Sequence, residues 1–353
     1  MDREVTAAVV GLGRIGRTHA EILTRRVSNV TVKYVADIYL NDEMRKWAGK
    51  LGIENVVKDP DICFADMEVD AVYICTSTDT HSEYIVKAAR AGKHIFCEKP
   101  LDSDLARLGR ALREVVAAGV LFQTGFMRRF DRNHSKARRL IQSGDYGKAQ
   151  MIRISCRDTR QSPYEYLKVS GGIFFDMMIH DFDMVRFLSG SDAEEIYAAG
   201  GVYVDERLAG IPDVDTAAAV IHMKNGMMAV IDNGRQCWYG HDQRSEIFCT
   251  DGTIQVMNER EDTVVVKKGD GIVYPKPPDF FIERYYDAYI AENQSFADSI
   301  LYGTPVPVTA SDGVEPIRMA KAAQMSLEQR RPVKLCEISE SEKARQGCTD
   351  SET

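Results

Sequence analysis

Over roughly the first 125 residues, short apolar runs alternate with amphipathic stretches. Runs rich in β-branched residues fall at 6–10, 30–36, 71–75, 94–97 and 121–125. Between them, apolar residues recur at helical spacing over 18–25, 42–51, 82–91 and 104–118. Successive strands joined by helices are connected right-handedly, so the pattern predicts a parallel, doubly wound α/β sheet with helices on both faces.

Beyond residue 126 the rhythm changes. A helix is expected at 133–143, followed by the strand-like 151–156 and a long apolar helix at 173–188, opened by Gly171-Gly172. Residues 194–267 read as successive strands parted by turn signals such as Lys224-Asn225-Gly226 and Asp251-Gly252, a pattern that suits a mostly antiparallel sheet. Two more helices, 283–301 and 312–329, follow a connection containing Pro275, Pro277 and Pro278. The expected division is 1–125, 126–336 and a polar tail at 337–353, an α/β domain followed by an α+β domain with helices on one sheet face. A chain of 353 residues is long enough for two cores.

Charge narrows the partners. With 53 acidic against 45 basic residues the net charge is −8, and no basic stripe interrupts it, so nucleic acid is not expected. No apolar run approaches the length that spans a bilayer, and the run ending at Gly11 is too short for a signal-peptide core. The 8 cysteines are scattered with no C-x-x-C pair, which reads as buried reduced thiols and a cytoplasmic protein.

Gly11-Leu12-Gly13-Arg14-Ile15-Gly16 directly follows the first strand and opens a helix. In that setting Gly11 permits a tight turn, Gly13 lets backbone approach a pyrophosphate, and Gly16 allows close helix–strand packing. Arg14 and Ile15 lie in the helix's first turn, whose N–H groups favour phosphate. Asp37 ends the second strand, where a carboxylate accepts from a ribose 2′-hydroxyl and repels a 2′-phosphate. Ile38-Tyr39-Leu40 offer that phosphate no cation, so NAD is expected over NADP.

Asp176, His180 and Asp183 fall at i, i+4 and i+7 in an otherwise apolar helix and are expected to share one face. Burying carboxylates is costly unless they are paired, so their presence wants a reason. A structural network, a metal site and an acid/base site all fit the spacing. No further ligand cluster supports a metal, and a carboxylate-oriented histidine suits removal of an alcohol proton.

The Gly-rich turn, Glu98-Lys99-Pro100 after the fifth strand, and the G-G-x-x-x-D-x-x-x-H-D stretch at 171–181 come in an order that resembles the glucose-fructose oxidoreductase / inositol dehydrogenase / rhizopine catabolism (Gfo/Idh/MocA) superfamily, over roughly residues 5 to 336. Within it, Gly125-Phe126-Met127, Asp213-Val214-Asp215-Thr216, Ile231-Asp232-Asn233 and Tyr239-Gly240-His241-Asp242 look like segments of inositol 2-dehydrogenases. The resemblance implies a Rossmann domain and an open-faced sheet. It also implies NAD-dependent oxidation of a secondary hydroxyl of a cyclic polyol, myo-inositol first, with scyllo-inositol or a sugar as alternatives. It implies a catalytic set of Lys99, Asp176 and His180, with Asp183, Tyr239 and Met127 toward the substrate. Thr76, Ser77, Thr78, His81 and Glu98, with Lys99, would border the nicotinamide. A regulator that kept the fold but lost catalysis is the rival from another class, and the complete lysine–aspartate–histidine set argues against it. The strands expected at 216–223 and 227–231 carry apolar residues on both faces, which together with the resemblance implies a homotetramer.

Overall fold

The computed structural model describes residues 4–338; the polar tail read from the sequence lies, from residue 339 onward, outside the described residues. The chain opens with six strands, β1 (Val5–Val10), β2 (Val30–Ala36), β3 (Asn55–Val57), β4 (Ala71–Ile74), β5 (His94–Glu98) and β6 (Phe122–Gly125). They alternate with α1 (Arg14–Arg25), α2 (Asp42–Lys50), α3 (Asp61–Ala65), α4 (Thr78–Arg90) and α5 (Leu105–Ala118). The sheet order is β3-β2-β1-β4-β5-β6, with every pairing parallel. β1 and β4 are buried on both faces, which is why they read as continuous apolar runs. Strand order reverses between β1 and β4, and ligands of such sheets bind beyond the strand carboxyl ends at that switch. β3 and α3 escape the sequence pattern because segments this short complete no period.

The remaining elements are α6 (Arg132–Ser143), β7 (Ala149–Arg157), α7 (Tyr164–Leu167), α8 (Ile173–Asp176), α9 (Ile179–Ser189), β8 (Ala193–Gly201), β9 (Thr216–Met223), β10 (Met228–Gly234), β11 (Asp242–Cys249), β12 (Thr253–Val256), β13 (Val266–Lys268), β14 (Gly271–Val273), α10 (Phe281–Tyr302), α11 (Ala310–Gln329) and β15 (Val333–Lys334). A seven-stranded sheet runs β12-β11-β7-β10-β9-β8-β15 and is antiparallel except for the parallel β7–β10 pair. β9 alternates strictly between exposed and buried positions. Its exposed side mixes polar Thr216 and His222 with apolar Val220, which stands with Tyr197, Met228 and Phe248 on other strands, all four more than a third exposed.

These elements form two compact units. One takes the residues up to Phe130 and Asp287–Val314; the other takes Asp131–Tyr286 and the residues from Glu315 on. A single cut after residue 125 therefore misassigns 287–314, which returns to the first unit. Thr124 donates its backbone N–H to the Val308 carbonyl at 3.0 Å, and Gln123 Nε2 donates to the Glu292 carbonyl at 3.1 Å. Periodicity marks 283–301 as a helix but cannot say which core it joins. Helical geometry lapses at Tyr285, with φ −111°, beside the residue where the chain changes unit.

In the second unit, Asp131 caps α6 and anchors a buried charge cluster. Its Oδ1 accepts the backbone N–H groups of Asn133 and His134 and lies 2.9 Å from His134 Nδ1; Oδ2 accepts from Arg284 Nη1 at 2.8 Å. Burial pushes this carboxyl's pKa up, but the bonds from His134 and Arg284 outweigh it and hold the group well below the usual carboxylate range. Such a group stabilises the fold above its unfolded pKa, and the contribution is lost as pH falls through the folded value. Asp131→Ala is expected to cost roughly 3–5 kcal/mol because it removes the nearer carboxylate of buried Arg284, leaving only Glu259 at 3.8 Å beside that nitrogen, while Asp131→Asn, which keeps the cap acceptor, costs less. Urea unfolding of the two variants at neutral pH measures the difference.

Candidate functional site

The Gly-rich turn of the first unit is shaped by backbone packed on backbone. Gly11 has φ +94°, and a Cβ there would lie 2.6 Å from the Cys75 carbonyl oxygen. A Cβ on Gly16 would lie 1.8 Å from the Gly11 carbonyl oxygen. Neither position tolerates a side chain without moving the turn. Gly13 is different: it is exposed, and a Cβ would meet nothing within 4 Å, so its bareness serves space outside the protein's own packing. No side chain caps α1, whose first turn contains exposed Arg14 and half-buried Ile15. First-turn N–H groups have no intrahelical acceptor, and with the helix dipole they suit a pyrophosphate. Asp37 Oδ2 accepts from Leu12 N–H at 2.6 Å and Oδ1 from Tyr39 N–H at 2.8 Å, tying the end of β2 to this turn. A carboxylate offers about four lone-pair positions, which leaves acceptor capacity for a ribose diol. These residues fit a dinucleotide without a 2′-phosphate.

Thr76, Ser77 and Thr78 carry the chain from β4 into α4, with Thr76 Oγ1 lying 2.7 Å from Thr80 Oγ1. His81 is buried, with Nδ1 2.9 Å from the Pro100 carbonyl oxygen and Nε2 3.0 Å from that of Thr76. Both ring nitrogens thus face backbone, so the structure gives His81 the work of bracing the post-β4 loop against the post-β5 loop. Burial pushes its pKa down. Lys99 follows β5 half-buried and donates its backbone N–H to Glu98 Oε2 at 3.1 Å. Met127 is buried in the single turn after β6.

The second unit holds the other predicted residues. Gly171 and Gly172 both have positive φ, and Asp213 Oδ1 accepts the Ile173 N–H at 2.7 Å where α8 begins. Asp213 Oδ2 takes Arg235 Nη2 at 2.9 Å, Arg235 Nη1 reaches Asp176 Oδ2 at 2.9 Å, and Tyr166 donates its hydroxyl to Asp176 Oδ1 at 2.7 Å. Arg235 is 2 % exposed. Burial pushes Asp213 up in pKa despite this cation, while Asp176 and Asp213 outweigh the burial of Arg235 and hold it firmly charged. Nothing in the local sequence marks Arg235, whose partners lie 59 and 22 residues away.

The long helix expected at 173–188 is two helices. Met178 N–H reaches back five residues to the Ile173 carbonyl, and His180 and Asp181 then bond only three residues back, to Met177 and Met178. A widened turn followed by a tightened one separates α8 from α9. Asp176 ends the first helix, whereas His180 and Asp183 belong to the second, so the shared face holds within α9 only. Asp183 is fully buried, and Asp181 pins α9 to the sheet by accepting from Asn233 Nδ2 at 2.8 Å and Gln243 Nε2 at 3.3 Å.

Tyr239 stands apart from these groups. It donates its hydroxyl to Asp242 Oδ2 at 2.7 Å and accepts from Arg157 Nη1 at 3.3 Å, and Arg157 also bonds Asp232. Side chains alternate along a strand, so Asp232 projects from the sheet face opposite to Asn233. The Tyr239 hydroxyl therefore joins the face away from Asp181. Among the described residues, no group of three or more His, Cys, Asp and Glu side chains is placed to hold a metal ion, and no helix is long and apolar enough to cross a membrane.

Residues 5–126 match the oxidoreductase family with an NAD-binding Rossmann fold, and residues 134–255 match the GFO/IDH/MocA C-terminal domain. The myo-inositol 2-dehydrogenase of Thermotoga maritima is 44% identical over 94% of this chain and 98% of its own length. The inositol 2-dehydrogenase of Rhizobium meliloti is 37% identical over 94% of this chain and 99% of its own. A solved scyllo-inositol dehydrogenase from Lactobacillus casei, with bound NAD(H) and scyllo-inositol, superposes with a TM-score of 0.88 at 29% identity, covering 94% of this chain and 99% of that one.

The bridging role of Arg235 makes a direct test. Arg235→Leu removes the cation that Asp176 and Asp213 share and is expected to cost roughly 3–5 kcal/mol in urea unfolding. Arg235→Lys should recover only part, because a point charge cannot span both carboxylates as the planar fork does. Unchanged stability in Arg235→Leu would remove the bridge from the account.

Proposed function

The chain belongs to the GFO/IDH/MocA family of NAD-binding oxidoreductases, and we propose that it oxidises one secondary hydroxyl of myo-inositol to the corresponding ketone. The observation that carries this reading is the presence in one chain of a Gly-rich turn with Asp37 and, in the second unit, of a half-buried histidine flanked in sequence by buried carboxylates. NAD, when bound, accepts the hydride from the carbinol carbon. The protein must then remove the hydroxyl proton and steady the negative charge growing on oxygen.

His180 is the base in this reading, since a neutral imidazole can take a proton near pH 7. Asp176 orients and charge-balances it, with Arg235 setting how much negative charge Asp176 presents. Lys99 holds the reacting oxygen, where its cation favours alkoxide character. Asp183, Met127 and Tyr239 are assigned to the remaining ring atoms. The Tyr239 hydroxyl needs a rotamer other than the one bonded to Asp242 for that role. A neutral polyol wants many hydrogen-bond partners and no arginine clamp. Arg129 is bonded to Asp312, Arg186 to Asp192, and Arg235 to Asp176 and Asp213, so these three cations are engaged within the protein.

The exposed apolar side chains on the second unit's sheet, Tyr197, Val220, Met228 and Phe248, support self-association through that face, and we assign a homotetramer. Light scattering should return about four times the chain mass of 39.6 kDa; a monomer mass at micromolar concentration would overturn the assignment.

The substrate is tested by NADH formation with myo-inositol, scyllo-inositol, glucose and lactate. Myo-inositol should lead and lactate should be inert. A lead for scyllo-inositol keeps the chemistry and changes the stereoisomer; a lead for lactate defeats the reading. Lys99→Ala and His180→Ala should each lower kcat by roughly 10²–10⁴ with the fold intact, and near-normal turnover in either removes that residue from the mechanism.

A further inference from the structure

Glu98 ends β5 one residue before Lys99, and three parts of the first unit enclose its carboxyl. From α1, His19 Nε2 lies 2.9 Å from Oε1. The backbone N–H of Lys99 donates to Oε2 at 3.1 Å. At the end of β6, a Cβ on Gly125 would come within 3.0 Å of both Cδ and Oε1, so that position is bare where the carboxyl lies against it.

The far side of His19 is equally defined. Nδ1 lies 3.0 Å from Asn293 Oδ1, and Asn293 Nδ2 donates to the Tyr289 carbonyl at 2.7 Å, which orients the amide with its oxygen toward the imidazole. Nδ1 therefore carries a proton. Nε2 and Glu98 Oε1 share one more, either as N–H⁺···O⁻ or as N···H–O, and in both arrangements the pair has no net charge. His19 is fully buried, with the rings of Tyr73, Phe96 and Tyr289 centred 4.9–6.0 Å from its own. The imidazole therefore depends on Glu98 and Asn293 for its hydrogen bonds.

We infer that His19 is a positioning residue of the dehydrogenase reaction: through Glu98 it fixes the backbone at Lys99 and links that residue to α1. The inference rests on the reading that Lys99 holds the reacting oxygen. α1 carries, within one short span, the first-turn N–H groups suited to the dinucleotide and the imidazole that holds Glu98. A rotation or slide of that helix reaches Lys99 through one side-chain pair. Reacting groups displaced by about 1 Å lose roughly 10² in rate.

Four variants test this: His19→Leu, His19→Gln, Glu98→Ala and the double variant His19→Leu/Glu98→Ala. His19→Leu should lower kcat roughly 10- to 100-fold, while KM for NAD and polyol, and NADH affinity by fluorescence titration, stay within about threefold. His19→Gln, whose amide can still donate to Oε1, should recover most of the loss. The double variant should be no slower than His19→Leu, since both changes break one interaction. A kcat for His19→Leu within about twofold of wild type, or losses that multiply in the double variant, would overturn the proposal. Should His19→Leu fail to fold, His19→Gln and Glu98→Ala decide: the proposal requires kcat to fall more in Glu98→Ala than in His19→Gln at steady KM, and normal kcat in both overturns it. Wild-type turnover with the polyol panel tests the function separately. If no polyol is oxidised, thermal melting of the four unliganded variants still tests the pair, because melting losses that simply add would deny the coupling.

Discussion

Gly11, Gly16 and Cys75 meet where no side chain can intervene, and much of the first unit follows from that contact. The start of α1 is pressed against the ends of β1 and β4, with a hypothetical Gly16 Cβ only 1.8 Å from the Gly11 carbonyl oxygen. Because the contact is backbone on backbone, rotamer changes cannot relax it, and α1 has one available seat. That seat puts its uncapped first turn at the strand ends, brings Leu12 N–H onto Asp37, and delivers His19 to Glu98. The phosphate end and the lysine end of the unit are thus set by the same two glycines.

The second unit solves a different problem, the burial of carboxylates. Asp213 and Asp176 share one guanidinium, Asp181 takes two amides from neighbouring strands, and Asp131 accepts the N–H groups at the start of α6, an imidazole and Arg284. Breaking such sets is costly because the survivor is left charged and dry, which gives the apolar sheet and its helices one preferred register. The register of α9 on β10 and β11 is read out by Asp181, the neighbour of His180. The histidine's place is therefore inherited from a structural pair of amides.

Much of this was legible in the sequence where a periodic signal or a fixed motif spacing existed. Strand–helix alternation, the Gly-rich turn with Asp37, and the Glu98-Lys99-Pro100 motif depend on residues close together in the chain. The break between α8 and α9 was not legible, because no glycine or proline between Ile173 and Leu188 marks the widened turn at Met178. Arg235 was invisible for the opposite reason: its role exists only through partners 59 and 22 residues away. Tyr239 was assigned from a motif, and the structure sends its hydroxyl to the other face of the sheet, a distinction that alternation along β10 makes and a short motif does not.

The return of Asp287–Val314 to the first unit has a consequence for how the chain acquires its fold during synthesis. The chain passes between units after Phe130, Tyr286 and Val314, so neither unit is a continuous segment. As the polypeptide leaves the ribosome, all six strands of the first sheet emerge early, yet the Asn293 that orients His19 and the carbonyls that receive Gln123 and Thr124 do not yet exist. Translation adds about 5–20 residues per second. For some seconds, then, a nascent Rossmann sheet carries His19 and strand-end donors without the partners that the later segment brings. The dinucleotide-binding unit begins before the second unit and is completed only after most of the second has been made.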